Sequence, residues 1–240
     1  FNNLGLLIID EEQHFGVAQK EKIKELQGNI HVLTLTATPI PRTLQLSLSG
    51  IKKLSLISTP PVNRLAIRTF VIEWDSVVLI DALLREKNRG GQIFVVCPRV
   101  KDIDSLYDRI NKMTPELSIS VAHGQMKVNE LDKSINDFSE GKVDILISTN
   151  IIESGIDIPN ANTMIIHKSD MFGLSQLYQL RGRVGRGKQR AYTYFTIEKN
   201  KILLKKSQQR LDVIKTLDNL GAGFSLASYD MDIRGAGNLL

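Results

Sequence analysis

Gln92-Ile93-Phe94-Val95-Val96, a helically patterned stretch over Asp102–Met113, then Ile119-Ser120-Val121-Ala122: this passage decides the fold. Short apolar runs bounded by polar segments read as buried strands, and the longer patterned stretch between them reads as a covering helix. The same alternation extends in both directions. Leu4–Ile9, His31–Leu35, Asp144–Ser148, Thr163–Ile166 and Ala191–Phe195 read as further strands, and Val77–Lys87, Asn129–Glu140 and Ser175–Leu180 as helices. Strands that alternate with helices make a parallel sheet covered on both faces, so the expected fold class is α/β.

The pattern is interrupted at Thr59-Pro60-Pro61-Val62-Asn63, where two prolines forbid regular pairing. We therefore expect part of a first domain over 1–58, a linker over 59–69 and a complete second domain over 70–198. After about Lys199 a basic helical pattern continues to about residue 219 with no following strand, until Gly221-Ala222-Gly223 breaks it. Residues 199–240 read as a helical appendage. Phe1 stands directly before a strand pattern and Leu240 just after a glycine turn, so a longer protein is expected.

Composition narrows the class. With 42% hydrophobic residues in 240, the chain can build a substantial core and disorder is unexpected. Its single cysteine, Cys97, excludes a disulfide framework and fits a reducing cytoplasm; its place after Val96 reads as core rather than as a catalytic thiol. No run of 18 apolar residues calls for a membrane. The net charge is +5, and the positive charge is clustered: Arg181, Arg183, Arg186, Lys188 and Arg190 occupy residues 176–190 without a carboxylate. A second run comprises Lys199, Lys201, Lys205, Lys206 and Arg210. Such stripes fit a phosphate backbone, or a plain solvated surface.

Four groups of residues carry chemistry. Leu6-Leu7-Ile8-Ile9-Asp10-Glu11-Glu12-Gln13 puts acids at the end of a buried strand, the edge at which open parallel sheets bind ligands. Asp10 is placed to hold Mg²⁺, through water, and Glu11 to act as general base toward an attacking water. Leu35-Thr36-Ala37-Thr38-Pro39 again ends a strand in hydroxyl residues, and Thr36 and Thr38 can hydrogen-bond across to residues 10–13. Ser148-Thr149-Asn150 through Glu153-Ser154-Gly155-Ile156-Asp157 offers Thr149 to a nucleic-acid phosphate and Asp157 to a ribose hydroxyl. Gln179-Leu180-Arg181-Gly182-Arg183-Val184-Gly185-Arg186 gives three arginines and two glycines. Arg183 and Arg186, three apart, are expected on one helical face, and Gly182 and Gly185 to let the backbone approach a partner. Each group also has a plain structural reading as a cap, turn or surface.

In this order the groups resemble the motifs of superfamily 2 helicases: Asp10–Gln13 motif II, Thr36–Thr38 motif III, Ser148–Asp157 motif V and Gln179–Arg186 motif VI. Thr36-Ala37-Thr38-Pro39-Ile40-Pro41-Arg42-Thr43-Leu44 is similar to the RecG-type and Mfd-type motors. Leu48–Pro61, Ala122-His123-Gly124-Gln125-Met126 and Asp170–Leu177 resemble the Mfd type, the bacterial transcription-repair coupling factors, more closely. Tyr229–Gly237 is similar to the translocation motif that the two types share.

The resemblance implies RecA-like domains that hold ATP and Mg²⁺ between them and move along double-stranded DNA. It implies nucleotide contacts from Asp10, Gln13, Gly155, Asp157 and Gln179, catalytic roles for Glu11, Arg183 and Arg186, and DNA contacts from His123, Gly124 and Thr149. Thr36, Thr38 and Arg234 would couple the domains. For the whole protein it implies a cytoplasmic factor that frees stalled RNA polymerase at lesions and promotes nucleotide-excision repair, binding the polymerase and UvrA through domains outside this chain. No G-x-x-x-x-G-K-[ST] phosphate loop occurs in the 240 residues, so the chain alone is expected to be inactive. A RecG-like fork-remodelling helicase is the alternative within the class, and a non-catalytic DNA-binding or regulatory module the alternative outside it.

Overall fold

The computed structural model describes residues 4–11, 15, 21–23, 30–37, 53–57, 65–149, 158–217 and 223–234. Two parallel sheets carry the architecture. In the first, β1 (Leu6–Asp10) pairs with β2 (His31–Leu35), Asp10 opposite Leu35. The second has six strands: β3 (Arg68–Glu73), β4 (Gln92–Val96), β5 (Ile119–Ala122), β6 (Ile145–Ser148), β7 (Ala161–Ile166) and β8 (Tyr192–Ile197). Their order is β3-β8-β7-β4-β6-β5, and every pairing is parallel.

The helices are α1 (Ser76–Asn88), α2 (Ile103–Met113), α3 (Val128–Ser139), α4 (Leu174–Arg181), α5 (Lys205–Thr216) and α6 (Gly223–Arg234). Strand alternation sorts them into two layers. In β4, Ile93 and Val95 face Leu79, Leu83, Leu106 and Ile110 of α1 and α2. Phe94 and Val96 face the other way, toward Phe138 of α3, Leu177 and Leu180 of α4, and Leu211 and Ile214 of α5. Both layers are fully buried, so the central strands read as unbroken apolar runs rather than as an alternation. Leu226 brings α6 into the second layer.

The α/β expectation holds, with two adjustments. The linker is shorter than 59–69 on its C-terminal side: Ile67 is already core and β3 starts at Arg68, pairing with Tyr192. Arg68 and Thr69, polar residues at the start of an edge strand, hide its entry from a hydrophobicity reading. The appendage is two helices: α5 begins at Lys205 rather than Lys199, and α6 follows from Gly223. The proline stretch around Pro60 and Pro61 lies outside the described residues. Among the described residues, no helix is long and apolar enough to cross a membrane.

Candidate functional site

The first sheet brings two of the groups together. Because β1 and β2 run parallel and in register, their C-terminal ends meet. The Glu11 backbone N–H donates to the Leu35 carbonyl at 2.9 Å, and the Thr36 hydroxyl donates to Glu11 Oε2 at 3.4 Å. Asp10 is exposed at the last position of β1. Glu11 adopts φ +51°, a left-handed conformation that non-glycine residues seldom take and that clusters at functional sites. Gln13 and Thr38 lie outside the described residues.

In the second sheet the registers align Ala122, Ser148, Val96 and Ile166 across four strands. The residues that follow them form one edge: His123, Thr149, Cys97 and His167. His123 and Thr149, half-buried, and Gly124, exposed, thus stand at the C-terminal edge, on neighbouring strands β5 and β6. His123 Nδ1 accepts the Gln125 N–H at 3.3 Å, which holds the ring in a tight turn.

Sequence reasoning missed a charged cluster on this edge. Arg99 donates through Nε to Asp102 Oδ2 at 2.8 Å and through a terminal nitrogen to Oδ1 at 3.1 Å, and Lys168 Nζ donates to Oδ1 at 2.9 Å. Arg99 chiefly, with Lys168, holds the Asp102 carboxyl down at about 2. The spacing of Arg99 and Asp102 just beyond a strand was a usable signal; nothing local pointed to Lys168. Cys97, expected as core, is buried, donates to the Arg99 carbonyl at 3.4 Å and has its thiol pushed up to about 11 by burial.

Beside the cluster, Trp74 packs under Arg109, whose guanidinium carbon lies 4.0 Å from the ring centroid, and edge-on to His167 at 5.0 Å. Glu198 Oε1 lies 3.3 Å from His167 Nε2. Burial holds the imidazole down at about 4 despite Glu198, so it is neutral over most of the accessible pH range.

The arginine motif is placed differently from expectation. Helix α4 ends at Arg181, and Gly182 caps it. The Arg183 N–H donates to the Leu180 carbonyl at 2.9 Å in a turn, and Arg186 lies beyond it in irregular chain. Arg183 and Arg186 therefore do not share a helical face. Gly182 ends the helix before Arg183, and Gly185, between the two arginines, takes φ +72°, which L side chains rarely adopt. Gly185 does allow a close approach, but to the protein's own core. A Cβ there would stand 3.0 Å from Ala191 Cβ and 3.3 Å from Ile67, and one at Gly187 would stand 3.0 Å from the Pro159 carbonyl. Ile67, Ala191 and Pro159 precede β3, β8 and β7. The half-buried Arg183 and exposed Arg186 thus lie by the N-terminal edge of the sheet, opposite His123 and Thr149.

Gln179 is half-buried on α4. Gly155 and Asp157 lie outside the described residues, as does the side chain of Arg234, the last residue of α6.

The six-stranded parallel sheet with helices on both faces is a RecA-like helicase C-terminal domain fold, and residues 75–188 match the helicase conserved C-terminal domain. Over all 240 residues it is 58% identical to the transcription-repair-coupling factor of Rickettsia bellii and 51% identical to that of Escherichia coli K12. Its kinship is with these bacterial coupling factors, and it spans 21% of the length of each. Among solved structures it is similar to RecG bound to a three-way DNA junction. That match has 36% identity and a TM-score of 0.75, and covers all of this chain and 31% of that one.

Proposed function

We propose that the chain is the motor segment of an ATP-driven double-stranded DNA translocase, from a cytoplasmic protein that releases RNA polymerase stalled at DNA lesions and promotes nucleotide-excision repair. The observation that carries the reading is the meeting of Asp10, Glu11 and Thr36 at the paired ends of β1 and β2. An exposed strand-end carboxylate fits a hydrated Mg²⁺, and a second carboxylate, held by a hydroxyl, fits a base toward water. ATP with Mg²⁺ supplies the phosphoanhydride whose cleavage drives movement. Asp10 would hold the metal, whose charge would offset that of the phosphates; Thr36 orients Glu11, and Glu11 takes the proton of the attacking water. Arg183 and Arg186 offer permanent positive charge to the γ-phosphate, with Gln13, Gly155, Asp157 and Gln179 as further nucleotide contacts.

At the opposite edge of the second sheet, His123, Gly124 and Thr149 contact the DNA backbone. This separation of edges supports a motor in which nucleotide and DNA are read by different ends of one rigid sheet. Thr36, Thr38 and Arg234 couple the units, and RNA polymerase and UvrA bind through parts of the protein outside this chain.

The test is Glu11→Gln in the full-length protein. DNA-stimulated hydrolysis should vanish while ATP binding, followed with a fluorescent nucleotide, persists; normal turnover removes Glu11 as the base. RecG-like fork remodelling is the second reading, supported by the likeness to the RecG structure. Fork regression without polymerase release by the same preparation would favour it.

A further inference from the structure

The arginine loop leaves α4 at Gly182 and returns to the sheet at Ala191, carrying Arg183, Arg186, Lys188 and Arg190 with no carboxylate between them. Its return is held from α1. Arg89, the C-cap of α1, donates through one terminal nitrogen to the Arg190 carbonyl at 2.7 Å. The guanidinium carbon of Arg89 lies 5.2 Å from the centroid of the Tyr192 ring, two residues further on, and that of Arg85 lies 4.5 Å from it. Beside them Gln189 Oε1 accepts from Asn162 Nδ2 at 3.5 Å.

Arg89 thus brings a further cation to a loop already rich in them, and Glu86 supplies the counter-charge. Glu86, nearly one turn earlier on α1, is 1% exposed; its Oε2 pairs with the other terminal nitrogen of Arg89 and accepts the Thr163 hydroxyl of β7. Gly91 makes the room, since a Cβ there would stand 1.7 Å from Glu86 Oε1. Burying a carboxylate is costly even when it is paired, and an apolar residue of similar volume serves a core at least as well. Packing therefore does not account for Glu86. What the carboxylate does is hold Arg89 in one direction, toward the Arg190 carbonyl.

We propose that Glu86 and Arg89 are positioning residues for Arg186. The buried pair fixes the point at which the loop rejoins the sheet, and with it the reach of Arg186, four residues before Arg190. The inference rests on the translocase reading above and deepens it by naming what aims one of its arginines. The loop's entry is set by the glycine cap of α4; its exit, crowded with like charges, is set by the brace from α1. Both residues act through Arg186 rather than on the nucleotide. A guanidinium suits the task because its rigid fork turns one nitrogen to the carboxylate and the other to the carbonyl; an ammonium meets both in no fixed plane.

The test uses full-length protein with Glu86→Gln and Arg89→Met together, which leaves no buried charge alone. Arg89→Lys keeps the ion pair and guards against a double variant that fails to fold. Well below the melting temperature, DNA-stimulated kcat should fall at least about tenfold in the double variant, since a misplacement of about 1 Å can cost about 10²-fold. It should fall by less in Arg89→Lys, and KM for ATP should change less than kcat. The deciding readout is the cycle with Arg186→Ala. If the pair acts through Arg186, the double variant costs nothing further once Arg186 is gone. If it lowers turnover by the same factor in both backgrounds, or if its kcat stays at the wild-type value, the pair only packs α1 and the proposal is wrong. If Arg186→Ala alone leaves turnover unchanged, the role given to Arg186 in the translocase reading fails first and the brace with it.

Discussion

Arg183 and Arg186 sit two and five residues past a helix end, and what they can reach depends on glycine. Gly185 holds φ +72° with neighbours 3.0 and 3.3 Å from where a side chain would begin. Gly185→Ala must strain the turn or push Ala191 and Ile67 apart, and should cost more than about 1 kcal/mol, read as a lowered urea midpoint. An unchanged midpoint would mean that the turn re-forms freely. Arg183→Ala and Arg186→Ala should act on turnover far more than on that midpoint. Each should lower DNA-stimulated turnover of the full-length protein, in related NTPases by about 10³–10⁵-fold for a single finger, less if the two share the charge. A melting temperature that collapses together with activity would show instead that the arginine braces the fold.

At the scale of elements, the ends of β3, β7 and β8 meet helix α2 in one polar knot, in which Trp74 and His167 are buried and Glu198 and Arg109 are half-buried. Within it His167 is held down at about 4 against its usual 6.5 by burial. The sign follows from linkage. Between those values the unfolded chain takes up a proton that the folded chain refuses, so the contribution is complete above about 6.5 and is lost as the pH falls toward about 4. Asp102, held at about 2, contributes over a separate and lower range, lost as pH falls below its usual 3.8. His167→Phe should therefore flatten the stability profile between pH 7 and 4.5 relative to wild type. Denaturation midpoints at several pH values measure this, and parallel profiles would show that folding leaves the titration of His167 unshifted.

For the whole molecule, the isolated 240-residue chain should show no DNA-stimulated ATPase, because no phosphate loop is encoded in it. Phosphate release clearly above that of a Glu11→Gln control would overturn this. The chain holds acids in one sheet and arginines by the other, and hydrolysis needs both together with a loop that it lacks.

What the sequence determined by itself was local. Runs such as Ile93–Val96 are apolar on both faces, and only a strand covered on both sides can bury them, so the α/β class and most elements were legible. The meeting of Glu11 with Thr36 was legible too, because both follow directly on strands whose parallel pairing forces their ends together. Tertiary structure alone decided three things. Strand β3 was hidden because an edge strand carries polar residues that blur the period. The shared face of Arg183 and Arg186 was an inference from helical spacing, and Gly182 ends the helix before that spacing applies. The burial of Arg181, whose guanidinium donates to the Ile214 and Leu217 carbonyls, depends on residues 33 and 36 positions away. Backbone acceptors carry no mark in a side-chain sequence, so no reading of residue types could have placed that guanidinium at the end of α5.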